Sequence, residues 1–430
     1  MSFKKKSTSN TRYLLFDNSN TSWLLIDKTL KTLSSIIVGL ILARHYGPEV
    51  FGNYSYITSI IFILVAISSL GLDGIIVRET NNNDSNIQKI LGTSFYLKFF
   101  TGSIILIILS FFILINNHGD YPLLLLIFLL TLPFYGFNIV DFYFQSISSY
   151  KYIAKLNLYL NIFSLLAKLI IISYDLSIIF IGVSFIVDIL FQSIVFCYLL
   201  SKIKNIKISD FVFDLPTAKK LLKDSYPLIF SSFFISLNLK MDQILLGELT
   251  DNYNLGLYAS SVRISEAWYF IPAALSNAFM PQFMKAKRIS INSYNKIFHS
   301  AYKFMLIFSV TVAIIFSLFS SDMIYLLFGS EYLPASPVLK IHVWSGVFAS
   351  MGFINSKFQI IENYTKISLY RNIFGFFINF VLNLLLIPMY GIFGCAIATL
   401  VGVFCSAIIF DLFYKDLRKH LKIKLLIYGQ

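Results

Sequence analysis

The chain is short of charge. Asp, Glu, Lys and Arg together make up 13% of its 430 residues, where a water-soluble domain carries about 25%. Hydrophobic residues reach 57%, with 44 Phe and 26 Tyr, and a single water-facing core could not hide them without far more polar surface to cover it. Cysteine is scarce too. Cys197, Cys395 and Cys405 each lie inside an apolar run and form no spaced pair, which argues against a disulfide framework and against a zinc site. The motifs of covalent chemistry are missing: no Gly-rich loop ends in Lys-Ser/Thr, no Gly-x-Ser-x-Gly elbow occurs, and no His-Glu-x-x-His stands on a helix. The five His residues, at 45, 118, 299, 342 and 420, are scattered. The expectation is a protein that is not an enzyme, with no cofactor and no metal.

What the sequence has instead is long apolar runs. About 20 apolar residues carry a helix across about 30 Å of hydrocarbon, and twelve such spans fit the chain: 23–44, 52–73, 91–115, 121–145, 152–173, 177–200, 226–247, 255–280, 297–319, 336–360, 365–388 and 391–413. The first is preceded by a polar segment with Lys4, Lys5, Lys6 and Arg12 and has no cleavage-site pattern, so it reads as a permanent span rather than a removed leader. The excess of 35 Lys+Arg over 22 Asp+Glu would suggest nucleic acid in a soluble protein. Here the cations gather at alternate ends of the runs. The loops 116–120, 174–176, 248–254, 320–335 and 389–390 contain no Lys or Arg, and only Arg44 approaches that side. The intervening segments and the tail from Lys415 carry most of them. By the excess of basic residues on the cytoplasmic side, both termini are expected in the cytoplasm.

The longest polar interval, 201–223, divides the chain into a first lobe (1–200, spans 1–6) and a second lobe (224–413, spans 7–12), followed by a basic tail (414–430). Phe51-Gly52-Asn53-Tyr54 opens span 2 and Leu255-Gly256-Leu257-Tyr258 opens span 8. A duplicated all-α bundle of two six-helix lobes follows, its repeats parallel and related by an axis along the membrane normal.

Charges inside spans are costly, by roughly 2.5–3.5 kcal/mol on insertion scales, and face a bundle interior or a watery cavity. Asp27 and Lys31 share a face of span 1 and suit an internal pair. Lys98 sits near the middle of span 3 with no acid three or four residues away, so it is expected to face a cavity. Lys28, Lys31 and Lys240 divide evenly between cavity lining and reach to the membrane surface. Asp242 and Arg263 lie at similar depth on consecutive antiparallel spans, which suits a structural ion pair. With Glu266 and Asp73 they make up the remaining candidate acids and cations; His342 reads as a satisfied polar group. Several cations with too few acids suggest a cavity that attracts anions, and a phosphate-bearing cargo fits its sign. Pro133 with Gly136, Pro227 and Pro272 mark candidate bends.

Several stretches carry a family resemblance. The run from Gly39 through Arg44, Gly47-Pro48 and Gly52 to Tyr54 is similar to the first helix hairpin of bacterial polysaccharide-repeat-unit flippases. So are Leu70 to Glu79, Tyr226-Pro227, Met241 to Gly247, Gly256 to Glu266, Tyr269 to Pro272, and Ile387 to Thr399. The chain resembles the O-antigen (Wzx-type) branch of the multidrug/oligosaccharidyl-lipid/polysaccharide exporter superfamily. The resemblance implies a V-shaped pair of lobes around a central cavity in the bacterial cytoplasmic membrane. It implies a cargo of undecaprenyl-pyrophosphate-linked oligosaccharide, with a polysaccharide polymerase and a chain-length regulator as candidate partners. Asp242 and Arg263 carry over from the matched motifs, whereas Lys28, Lys31, Lys98 and Lys240 rest on depth alone. The rivals are a multidrug exporter of the same fold, which would call for an acidic cavity, and a membrane-embedded polymerase or acyltransferase, which would call for a large charged outer loop.

Overall fold

The computed structural model describes residues 18–82, 86–116, 122–362, 364–414 and 417–418, and in these residues the chain is helical with no strand. The basic segment Lys4–Arg12, most of the loop at 116–120 and the cations of the tail other than Arg418 lie outside the described residues.

Eight helical stretches are long and apolar enough to cross a membrane. Two of them are hairpins. Helix Asn18–Ser68 breaks at Gly47 (φ 76°), and helix Thr365–Ala407 breaks at Gly391 (φ 55°); only glycine enters this left-handed region at no steric cost. Pro48 follows the first break directly and Pro388 lies three residues before the second. A ninth stretch is a bent pair, Ser330–His342 and Ser345–Ile361, at 45°. Asn252–Glu266 and Phe270–Ile289 form a more polar broken pair. Taking each hairpin arm and each broken pair as one span gives twelve, as expected from the sequence: span 1 (18–46), 2 (48–68), 3 (Ile87–Asn116), 4 (122–146), 5 (Lys151–Ser173), 6 (Ile178–Lys204), 7 (Leu215–Leu249), 8 (252–289), 9 (Ile291–Leu318), 10 (330–361), 11 (365–390) and 12 (392–407).

The breakers act close to where the sequence puts them. Pro133 begins a 3₁₀ segment, Pro133–Asn138, that interrupts span 4. The bend of span 8 falls at 267–269, just before Pro272, whose ring nitrogen has no hydrogen to return to the preceding turn. Pro227 does not open span 7, as the hydropathy suggested, but lies inside it. The helix starts twelve residues earlier, at Leu215, behind an Asp214 cap that accepts from the Thr217 amide at 2.9 Å.

The lobes share a large core at one end, meet again in a small cluster of Ile63, Leu237 and Phe376 on spans 2, 7 and 11, and keep separate cores at the other end. Leu42, Phe51 and Tyr54 of the first hairpin pack in one cluster with Leu246, Leu255 and Tyr258 of spans 7 and 8. Away from that seam, Leu72, Leu91, Phe144 and Phe196 form a first-lobe core, and Phe283, Phe298, Met305 and Phe358 a second-lobe core. The result is a V closed at the turns near Gly47 and Asp251. Outward faces are apolar: Ile107, Phe111 and Leu114 of span 3 are each about two-thirds exposed (67%, 67% and 70%), a surface that only lipid accommodates.

The Gly-x-Tyr echo lies at the heart of the seam. A Cβ on Gly52 would come within 1.8 Å of the Asn252 carbonyl oxygen, and one on Gly256 within 1.9 Å of the Pro48 carbonyl oxygen. Positions 48 and 52 correspond to 252 and 256 by one shift of 204 residues, so the contact is reciprocal, as two parallel repeats related by a two-fold require.

Candidate functional site: a charged seam between two lobes

In span 1, Asp27 is buried and Lys31 lies 3.1 Å from its carboxylate, the pair that their spacing suggests. Asp27 also accepts from Tyr150 (2.7 Å) and Asn157 (3.3 Å). Lys28, one residue round the helix, is exposed.

Lys98 differs from its expectation. It is 3% exposed, and its ammonium binds Asp73 at 2.5 Å while lying over the Phe142 ring. Asp73 is 25 residues away in sequence and comes into reach because the chain turns sharply at Leu70 and Gly71, both at positive φ, before the short helix Asp73–Asn82. Local spacing could not show this partner.

Asp242 and Arg263 are not paired among the described residues, contrary to the expected ion pair. Similar depth suits the two to each other, but helical phase turns them apart. Asp242 faces spans 8, 11 and 12, where it accepts from Tyr258 (3.1 Å), Asn383 (2.8 Å) and the Thr399 hydroxyl. Arg263 faces the other lobe. It reaches the Ser35 carbonyl at 3.5 Å, lies 5.3 Å from the Phe51 ring centre, and its guanidinium fills the space that a side chain at Gly39 would take.

Lys240 is half-buried, 5.8 Å from the Phe62 ring centre, with no ion pair within 4 Å among the described residues. Arg263 and Glu266 lie three residues apart in the helix Asn252–Glu266, a spacing that puts them on one face. His342 is buried and paired with Ser265 at 2.8 Å, a satisfied polar group as expected.

Charge alone does not point to the amides. Asn379 and Asn383 sit four apart on one face of span 11, the second donating to the first at 3.0 Å, and their spacing was a readable signal. Gln243 accepts from Ser59 across the seam at 2.8 Å. In the first lobe, Lys168 and Asp188 pair at 2.6 Å. No group of three or more His, Cys, Asp or Glu able to hold a metal occurs among the described residues.

The model of the polysaccharide biosynthesis protein family matches residues 18–287, and that of the MatE family matches 227–385. The capsular polysaccharide biosynthesis protein CapF of Staphylococcus aureus is 26% identical over 417 residues, which cover 92% of this chain and 98% of that protein. Among solved structures, the lipid II flippase MurJ in an inward closed conformation has a TM-score of 0.73 at 16% identity, covering 95% of this chain and 91% of that one. An inward-facing multidrug resistance MATE transporter has a TM-score of 0.72 at 15% identity, covering 95% and 100%. At these identities the two structures speak for the fold alone.

Proposed function

Since the chain belongs to the polysaccharide biosynthesis protein family, we propose that it is a flippase for lipid-linked oligosaccharides of a capsule, O-antigen or exopolysaccharide, carried on undecaprenyl pyrophosphate. The observation that carries this reading is the seam itself. Lys240 and Arg263 lie on the seam against Phe62 and Phe51 of span 2, neither of them in a salt bridge within 4 Å among the described residues, and desolvated cations of this kind favour a phosphate-bearing head group. The oligosaccharide would cross between the lobes as they rock, while the lipid chain stays in the bilayer. Lys28 and Lys31 would line the same passage from span 1. Asp242, a buried carboxylate with hydroxyl and amide donors and no cation within reach of a salt bridge among the described residues, is our candidate for the acid that couples transport to an ion gradient, with Glu266 and Asp73 as secondary acids. The bacterial cytoplasmic membrane is the site of action, with both termini on the cytoplasmic side, and a polymerase and chain-length regulator would act on the delivered unit.

The test is surface display of polymer in cells carrying Lys240→Gln or Arg263→Gln at matched protein level. A phosphate contact to a charged group is worth roughly 1.5–3 kcal/mol, about ten- to a hundredfold in affinity, so display should fall strongly. Full display in both variants would remove the basis of this reading. The MatE match over 227–385 favours a second reading, a multidrug exporter. On that reading the same substitutions leave polymer display intact and change resistance to cationic compounds.

A further inference from the structure

We propose that Arg263 is the latch that holds the seam closed, and that an anionic cargo releases it by taking the same guanidinium. The release step rests on the transport reading above; the latch rests on the seam's geometry.

The seam contains a second reciprocal crossing besides the glycine contact. Ser59 of span 2 donates to Gln243 of span 7 at 2.8 Å. Shifted by 204 residues, Ser59 becomes Arg263, and Gln243 corresponds to Gly39. The partner crossing is therefore Arg263 on Gly39, and there it is found: a Cβ on Gly39 would fall 0.7 Å from Nη1 of Arg263. One copy of the crossing is a neutral hydrogen bond. The other is a guanidinium laid in the niche left by a missing side chain.

That guanidinium is loosely held. It has five N–H donors, yet among the described residues it has one acceptor, the Ser35 carbonyl at 3.5 Å, and the face of Phe51 with 5.3 Å between centres. A phosphate offers two oxygens in the geometry of the guanidinium fork and outcompetes both. One side chain cannot occupy the niche and grip a phosphate drawn toward the cavity. A cargo that binds Arg263 only once it has left the niche favours the open seam by that difference in affinity. A neutral or cationic solute has no such effect.

The experiment uses the full chain in nanodiscs, with Cys197, Cys395 and Cys405 replaced by serine and spin labels at Glu49 and Tyr253, both exposed beside the seam. Farnesyl pyrophosphate is the probe and farnesol the control. In the otherwise unchanged protein the pyrophosphate lengthens the label distance and farnesol does not. Gly39→Ala fills the niche, so its distance is long without probe. It binds the pyrophosphate more tightly, by about tenfold, because closure no longer competes. Arg263→Gln is also open without probe but binds weakly. If Gly39→Ala misfolds, Phe51→Leu, which removes the ring, carries the same expectation. A Gly39→Ala protein with the original distance and affinity overturns the latch while leaving phosphate binding standing. An open Gly39→Ala protein with no pyrophosphate binding in any variant overturns the cargo reading, and with it the release step.

Discussion

Lys98 and Asp73 show how much a single contact changes the meaning of a residue. An ammonium alone at mid-depth would be a cavity ligand; bound to Asp73 and nearly sealed from solvent, it also braces span 3 against the turn after span 2. Because Asp73 is half-exposed, the pair should be worth something between the about 1 kcal/mol of an exposed pair and the about 3–5 kcal/mol lost on breaking a buried one. Lys98→Gln is expected to lower the melting temperature in detergent, with Asp73→Asn costing less and the double variant recovering part of the loss. Polymer display lost at full stability would instead make Lys98 a ligand. Asp242 belongs to the same scale. Asp242→Asn keeps the shape: its one oxygen can accept from Asn383, and its NH2 can donate to the Tyr258 and Thr399 hydroxyls, which accept as well as donate. Protein abundance should therefore stay normal while ion-driven transport fails; a variant that still transports against a gradient would exclude coupling through this acid.

At the scale of the helices, the glycine contact between the two hairpins is the most constrained joint. An added methyl at Gly52 or Gly256 meets backbone rather than a yielding side chain, and overpacking of this kind costs about 1–3 kcal/mol. Gly52→Ala and Gly256→Ala should each lower the melting temperature. Together they should cost less than their sum, since either one already spreads the shared seam. Asp214 sets the start of span 7. Hydrogen bonds from the Thr217 hydroxyl and amide hold its carboxyl below the usual carboxylate range. Its contribution is complete above that usual range and is lost as pH falls through the lowered value. Protease cleavage within 201–223 should thus stay slow in mild acid and quicken only in stronger acid, while Asp214→Ala should be cleaved readily at neutral pH. Much at this scale was legible in advance. The pairing of Asp27 with Lys31, the interruption at Pro133 and the matched Gly52 and Gly256 all follow from local spacing. The partners of Lys98, Asp242 and Arg263 do not, because each depends on which way a helix is rotated, and a hydropathy run carries depth without rotation.

For the molecule as a whole, the alternation of basic and non-basic loops makes a plain topological claim. Cysteines at Asp175 and Asn252 should react with an impermeant reagent added to intact cells and one at Ser209 should not; labelling at Ser209 would invert the orientation. Twelve spans in two lobes were readable from hydropathy and charge, but the V was not, since it depends on where one shared core gives way to two. The interval 201–223 also holds more than a connection. Ile206, Phe211 and Leu221 pack in the first-lobe core, Gly92 abuts the backbone of Val212, and the Asp214 amide donates to Thr93. Biogenesis inherits an order from this. A ribosome that has finished span 6 has not yet supplied the residues that complete the first lobe, so that lobe is sealed only once span 7 has begun to emerge. Genes split after codon 200 should give an N-terminal fragment that is degraded when made alone, whereas a split after span 7 leaves it with a closed core and a surviving half.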